Sequence, residues 1–360
     1  MTIPITVMAI SSFLVSCQKV SSGQGDLKNR LIAIAKSNHI PTLSVYIKSE
    51  KVIADFQYKD DDKTIEPITN YAIGSTTKFL AALLIVKQVE ENKIGLNDLI
   101  LNYIDSADFP NIRWFNSITI KHLLGHTSGI PDYTNNPSWM TSVMSGKPPK
   151  SYSEKIALIS IPDSSNRFEQ FAYSNSNYVL LEKIIEKINN KKATQLFNEF
   201  YTGLGLPGIS FTKPVGSNQA FFAMAENQTS NVTSFEEAYG YEGGAYASVK
   251  DLSMLLQKVF VEKNVLNQKS LDLISTWTDM GRYIINYGFA KTTSYGLGLM
   301  KFEFNGRTFI GHPGSSLKYQ SFAFIEPATG AEIVLLTNCS GKYYNHAFLI
   351  DILGGIVKEL

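Results

Sequence analysis

Ser75 and Lys78 stand three residues apart, with Gly74 just before them and an unbroken apolar run from Phe79 to Val86 just after. Such a run of good helix formers predicts a helix buried on most sides, with Ser75 in its first turn. Positions i and i+3 share a helical face, so the lysine amine can reach the serine hydroxyl. A serine hydroxyl is a weak nucleophile until a base takes its proton, and a desolvated lysine can be that base. The helix N-terminus also offers unpaired N–H groups to a developing oxyanion. The pattern S-x-x-K is short and recurs by chance, and a serine at a helix start is commonly only a cap. Its weight therefore depends on partners further along the chain.

Two further motifs follow in order: Tyr173-Ser174-Asn175 and His312-Pro313-Gly314-Ser315. The elements that must hold them can be read from periodicity. Leu27, Leu31, Ile34 and Ala35 line one face of a first helix over residues 26–37. Two strand-like runs, 42–47 and 52–58, are joined by the polar turn 48–51. The Ser75 helix is expected to stop near residues 92–95, where Gly95 supplies a C-terminal signal. Thr119 reads as the N-cap of a short helix ending at Gly129-Ile130-Pro131. A helix follows Asn175 with Leu180, Leu181, Ile184, Ile185 and Ile188 on one face, and another covers 249–259 after Gly243-Gly244. Three strands are read at 308–312, 320–325 and 332–339, two of them joined by a Pro327–Gly330 turn, and a last apolar helix covers 346–357. The order predicts an α/β (α+β) fold. An antiparallel sheet of five strands is flanked by the terminal helices and carries an inserted all-α lobe, with a cleft between the lobes for the site.

The three motifs in this order resemble the penicillin-recognising serine hydrolases, in which S-x-x-K is followed by Y-x-N or S-x-N and then by K-T-G or H-x-G on a strand. The closer resemblance is to the class C β-lactamase-related group, which includes D,D-carboxypeptidases, D-aminopeptidases and esterases. It is carried also by His122-Leu123-Leu124-x-His126-Thr127-Ser128-Gly129, by Gly243-Gly244 before a helix, and by Tyr295-Gly296-x-Gly298. It covers roughly residues 26–360, with an α/β lobe from 26–70 and 240–360 and a helical lobe from 71–239. The resemblance implies that Ser75 forms an acyl-enzyme, that Lys78 holds or accepts its proton, and that Tyr173 is a general base or proton shuttle whose phenol is lowered by the Lys78 cation. It implies further that Asn175 orients Lys78 and the substrate amide, and that the backbone N–H groups of Ser75 and Ser315, next to Gly314, form the oxyanion hole. His312 stands where β-lactamases of this group have lysine, and Pro313 removes a hydroxyl and an N–H. Both departures favour ester or D-amino-acid peptide substrates over β-lactams. His312 is expected to face the end of the cleft that meets a substrate carboxylate and to gain charge below about pH 6.5. A β-lactamase or weak penicillin-binding protein is the alternative, and a catalytically idle binding lipoprotein the second.

Composition adds bounds. With 360 residues, 44% of them hydrophobic, and a net charge of +1, the chain has ample material for a core and no electrostatic footprint for nucleic acid. No cofactor or metal is implied; His122 and His126, four apart, lack the intervening glutamate of a zincin and read as structural. Residues 3–16 are mostly apolar and end in Leu14-Val15-Ser16-Cys17, which resembles the lipobox of bacterial lipoproteins. That resemblance implies lipidation at Cys17, a polar tether over 18–25, and a bacterial envelope location with the membrane reached through the lipid. Cys339, in an apolar strand, reads as a small core residue. The expected ligand is a small-molecule or peptide substrate.

Overall fold

The structure is a computed structural model, and it describes residues 22–60, 69–214, 221–225, 228–232, 238–286, 290–304, 306–341 and 347–356. In chain order the strands are β1 (Thr42–Lys48), β2 (Ile53–Lys59), β3 (Tyr71–Ala72), β4 (Phe221–Ala225), β5 (Gln228–Asn231), β6 (Tyr246–Ala247), β7 (Thr278–Asp279), β8 (Ile285–Asn286), β9 (Ala290–Tyr295), β10 (Met300–Phe304), β11 (Arg307–Ser315), β12 (Gln320–Glu326), β13 (Ala331–Thr337) and β14 (Cys339–Gly341). The large sheet runs β2-β1-β13-β12-β11-β10-β9-β7, with β8 also paired to β9, and its ladders are antiparallel. The five strands legible in the sequence are contiguous in it. The sheet then continues past them through β10, β9 and the short β7 and β8.

The helices are α1 (Ser22–Ser37), α2 (Thr76–Glu90), α3 (Ile120–Leu124), α4 (Pro137–Met144), α5 (Tyr152–Ile156), α6 (Asn175–Asn189), α7 (Ala193–Gly203), α8 (Val249–Phe260), α9 (Gln268–Ile274) and α10 (Ala347–Ile356). Strands β12 and β13 are buried along their whole length, because both faces of the sheet are covered. On one face Phe322, Phe324, Ile333 and Leu335 pack with Leu27 and Leu31 of α1 and with Ile352, Leu353 and Ile356 of α10. On the other, Ala323, Ile325, Val334 and Leu336 join the core of α2 and α8. The alternation of these residues along each strand sends neighbours to opposite layers. Edge strand β2 instead alternates exposed and buried, so only Ala54, Phe56 and Tyr58 face inward.

Helix α2 is the axle of the structure. Every residue from Thr76 to Val86 is buried, and the helix packs against β11, β12, α7 and α9. Its C-terminus is turned by Asn92 in the left-handed region (φ 56°), three residues earlier than the expected glycine stop. Asparagine tolerates that conformation through its short polar side chain. The stretch 71–239 is mostly helical but is not purely so, since β3 pairs with β6 and β4 pairs with both β5 and β14. Two-residue strands such as β3 carry no periodicity that a sequence could display. Cys339 is buried, and burial pushes its thiol up to about 12, which fits a packing residue. Cys17 and the segment before it lie outside the described residues.

Candidate active site

The turn into α2 is built by residues whose neighbours give reasons for them. Gly74 has φ +48°, and a Cβ there would stand 2.9 Å from the backbone nitrogen of Ser315. Gly314 makes the matching concession on β11: a Cβ would fall 1.9 Å from the Ile73 carbonyl oxygen and 2.4 Å from Ser321 Oγ. Two glycines thus let the end of β11 close on the turn that presents Ser75. The approach is clamped by hydroxyls. Thr76 Oγ1 donates to the His312 carbonyl (2.9 Å) and lies 2.7 Å from Ser321 Oγ, which in turn donates to the Ile73 carbonyl (2.7 Å). On the far side, the Ile73 N–H donates to the Ala245 carbonyl, and the Ala245 N–H donates to Thr77 Oγ1.

Pro313 fits this arrangement. It has no N–H to give a ladder, and β10 pairs with β11 only as far as Gly311, so among the described residues the strand beyond has a side with no partner strand. Ser315, two residues on, shares the side of Pro313 by alternation. The Ser315 nitrogen accordingly borders the Gly74–Ser75 turn, where an oxyanion pocket was expected.

Lys78 is completely buried, and its ammonium has three acceptors. It donates to Ser75 Oγ at 3.0 Å, to Asn175 Oδ1 at 2.7 Å, and to the backbone carbonyl of Glu242. Burial brings its pKa down to about 7, against the opposing pull of the Glu242 and Asp132 carboxylates. Near neutrality the amine is therefore partly unprotonated and able to accept a proton. Asn175 is held at its other end, where Nδ2 donates to Asp132 Oδ2 (2.8 Å) and Thr134 Oγ1 (3.3 Å). Asp132 is also buried, which raises its carboxyl despite the hydrogen bonds it accepts from Thr134.

Tyr173 lies beside this group, with Lys78 Nζ 5.0 Å from its ring centre and the His126 ring 4.3 Å away. Its phenol is pushed up by burial; a hydrogen bond with the Ser75 side chain opposes that rise, and Asp132 adds to it. The expected lowering by a Lys78 cation is not what the site does. Burial acts on both groups and favours the uncharged form of each, so it raises the phenol and lowers the amine. Ser75, Lys78, Tyr173 and Asn175 are thus brought together, with Gly314 and Ser315 closing on Ser75.

His312 is brought to the same region but not to the expected surface. It is fully buried. Its Nδ1 lies 2.5 Å from the Pro313 carbonyl, which can only accept, so Nδ1 carries the proton. Nε2 then accepts from the Tyr295 hydroxyl at 3.0 Å. Burial and the adjacent Lys78 lower its pKa to about 3. The reading of His312 as a cation that meets a substrate carboxylate is therefore corrected: the ring is neutral, enclosed and occupied on both sides. So short a motif shows position along a strand but not which layer the side chain enters.

His122 and His126 have structural partners. Thr119 caps α3 by accepting from the His122 N–H, and His122 Nδ1 accepts the Thr119 N–H in return. His126 Nδ1 accepts from the Ser174 N–H at 3.2 Å and lies 3.1 Å from Asn177 Nδ2, which fixes the start of α6. Several contributors carried no motif. Asp132 and Thr134 position Asn175, and Thr76 and Ser321 clamp the turn. Glu242 was signalled only by a charge beside Gly243-Gly244, and its partner Lys155 by nothing local.

The family profile described as Beta-lactamase matches residues 27–351, and the chain belongs to that family. It is 27% identical over 322 residues to Protein flp of Staphylococcus aureus (strain NCTC 8325 / PS 47), a match covering 86% of this chain and 61% of that protein. The teichoic acid D-alanine hydrolase of S. aureus (strain MRSA252) is 27% identical over 221 residues, covering 58% of this chain and 51% of that one. The chain thus spans about three-fifths or less of the length of these curated relatives. Among solved structures, the D-amino acid amidase of Ochrobactrum anthropi SV3, in its complex with L-phenylalanine amide, superposes with a TM-score of 0.76 at 19% identity, covering 92% of this chain and 97% of that one. The shared fold is the mixed α/β architecture with a large antiparallel sheet.

Proposed function

We propose that this protein is a serine hydrolase that works through an acyl-enzyme on D-aminoacyl esters or amides at the bacterial envelope. The observation that carries this reading is the Lys78 amine, buried, near pKa 7, and 3.0 Å from the Ser75 hydroxyl at the start of α2. Unprotonated Lys78 takes the proton from Ser75 Oγ as that oxygen adds to the substrate carbonyl carbon. The oxyanion is received by the Ser75 and Ser315 N–H groups at the helix N-terminus. The Tyr173 phenol stays protonated at neutral pH and passes a proton to the leaving alcohol or amine, replacing it from the Lys78 ammonium, so that the group departs, Ser75 is acylated and Lys78 is again a free base. Water then enters along the reverse route and releases the acid. Asn175 holds Lys78 in line throughout.

The substrate class rests on two supports. Neutral His312 offers no cation to a carboxylate, which favours an uncharged carbonyl group over the carboxylate-bearing substrates of carboxypeptidases and β-lactamases. The relatives named for D-alanine and D-amino acid hydrolysis point the same way. The location rests on Cys17, whose Leu14-Val15-Ser16-Cys17 context suits lipidation. The test is intact-mass detection of acylation by a fluorophosphonate, a penicillin and a D-alanyl ester, in parallel on the wild type and Ser75→Ala. Acylation by the fluorophosphonate and the ester, and none in the folded variant, is expected. Equal labelling of Ser75→Ala with a wild-type circular dichroism spectrum would refute the assignment, and penicillin acylation alone would favour the β-lactamase reading.

A further inference from the structure

The third acceptor on Lys78 is the backbone carbonyl of Glu242, and the side chain of this residue is gripped from three directions. Oε1 accepts from Lys155 Nζ at 2.6 Å and from the Tyr133 hydroxyl at 3.0 Å, and Oε2 accepts from the Gly240 N–H at 3.0 Å. Glu242 is 1% exposed and Lys155 is 5% exposed. A buried ion pair is weak evidence for stability, because the desolvation of both charges offsets their attraction. Its placement suggests another use. Residues 240–245 form a turn outside the regular ladders, so the Glu242 carbonyl is not held on Lys78 by a strand or helix of its own. The Gly243 and Gly244 N–H groups donate to the Gly240 carbonyl within this turn, and the grip on the carboxylate adds side-chain anchors to the very residue whose carbonyl meets Lys78.

We propose that Lys155 and Glu242 are a positioning pair for Lys78: they fix the carbonyl on its amine and set the electrostatic field in which that amine gives up its proton. The proposal rests on Lys78 being the proton acceptor for Ser75. Around the amine, Glu242 and Asp132 favour the charged form, while burial opposes it. His126 and His312 are both held neutral by burial, and the Tyr173 and Tyr178 phenols are both raised. Glu182 lies next in the chain of charges. Its carboxyl is raised to about 7 by burial and by Glu242, and is opposed by Lys155. Lys155 therefore balances two carboxylates, one of which bears directly on Lys78.

The sign of each perturbation differs, which separates positioning from simple scaffolding. Hydrolysis by neutral Lys78 rises with pH through its pKa. Glu242→Gln removes a negative charge and keeps the hydrogen-bonding shape, so Lys78 loses its proton more readily and the acid limb moves to lower pH. Lys155→Met leaves the Glu242 carboxylate without its cation, so Lys78 holds its proton more tightly and the limb moves to higher pH. Each shift is expected to be about one pH unit. The double variant Lys155→Met/Glu242→Gln removes both members of the ion pair and leaves Glu182, whose carboxyl burial already raises towards its neutral form; it is expected to move with Glu242→Gln and serves if Lys155→Met alone does not fold.

The measurement is kcat/KM for p-nitrophenyl acetate against pH, with the rate of fluorophosphonate labelling of Ser75 as a readout that needs no turnover. Opposite shifts of the single variants, or an acid shift of the double variant, support the pair. Limbs that stay at the wild-type pH while rates fall in every variant overturn it. Wild-type hydrolysis that survives Ser75→Ala would instead remove the catalytic reading beneath it, a result the same assay distinguishes.

Discussion

At the scale of single residues, the site is governed by desolvation. The same burial that makes Lys78 a base near neutrality raises the Tyr173 phenol and silences His312. Tyr173→Phe is expected to keep the fold and lower kcat by about 10²-fold with little change in KM, as loss of a proton donor does; steady-state kinetics on a D-alanyl ester checks it. An unchanged kcat would mean that Lys78 handles the leaving group alone. For His312, kcat/KM for a carboxylate-bearing ester divided by that for a neutral ester is expected to stay flat from pH 8 to pH 6, because the ring does not titrate there. Its titration belongs to stability instead. With a folded pKa of about 3 and an unfolded value near 6.5, the unfolded chain binds the extra proton, so stability is lost as pH falls below about 6.5. His312→Gln lacks this loss. The penalty of that substitution, measured by urea unfolding, is expected to shrink by about 2 kcal/mol between pH 7 and pH 5. Glu182, raised to about 7, has the opposite slope in the same window, but it is common to both proteins and cancels.

At the scale of elements, the site is the meeting of one helix start and one strand end. The N-cap of α2 is Ser75 and its first turn carries Lys78, and burial of side chains such as Leu80, Leu83 and Ile85 fixes its position, each stabilising by roughly 1.5–3 kcal/mol. Strand β11 contributes Ser315, and it reaches α2 only because Gly314 has no side chain. Gly314→Ala would put a Cβ within 1.9 Å of the Ile73 carbonyl oxygen, so the two elements must separate. The expected result is a fall in kcat of about 10²–10³-fold, the effect of losing an oxyanion donor. Fluorophosphonate labelling of Ser75 should slow in parallel, since it uses the same pocket. Normal activity in the alanine variant would mean that Ser315 is not part of that pocket.

At the scale of the whole molecule, a three-layer arrangement encloses the sheet between α1 and α10 on one side and α2 and α8 on the other. Among the described residues, no helix is long and apolar enough to cross a membrane. Lipid on Cys17 is the route of envelope attachment proposed above, and it can be tested directly. Full-length protein expressed in a bacterial host is expected to fractionate with membranes and to incorporate labelled fatty acid, and Cys17→Ser to abolish both. Unlabelled, soluble wild-type protein with Cys17 cleaved away would overturn this.

Read alone, the order Ser75, Lys78, Tyr173, Asn175, Gly314 was enough to indicate the family. Apolar periodicity was enough for the five strands around β12 and, to within a residue or so at the ends, for the helices read at 249–259 and 346–357. These features are local, because a helical face or an alternating strand is written within a few turns of chain. Strands β7 and β8 were not legible, since two residues show no period. What only the tertiary structure decided is the electrostatics. Whether Lys78 is a base, Tyr173 an acid or His312 a cation depends on the dielectric around each, and that is set by residues far away in sequence. Lys155 is the clearest case: nothing around it in the chain distinguishes it from a solvated lysine, and only the fold buries it against Glu242, 87 positions later. Burial and long-range partners set pKa values, and neither is written in a motif.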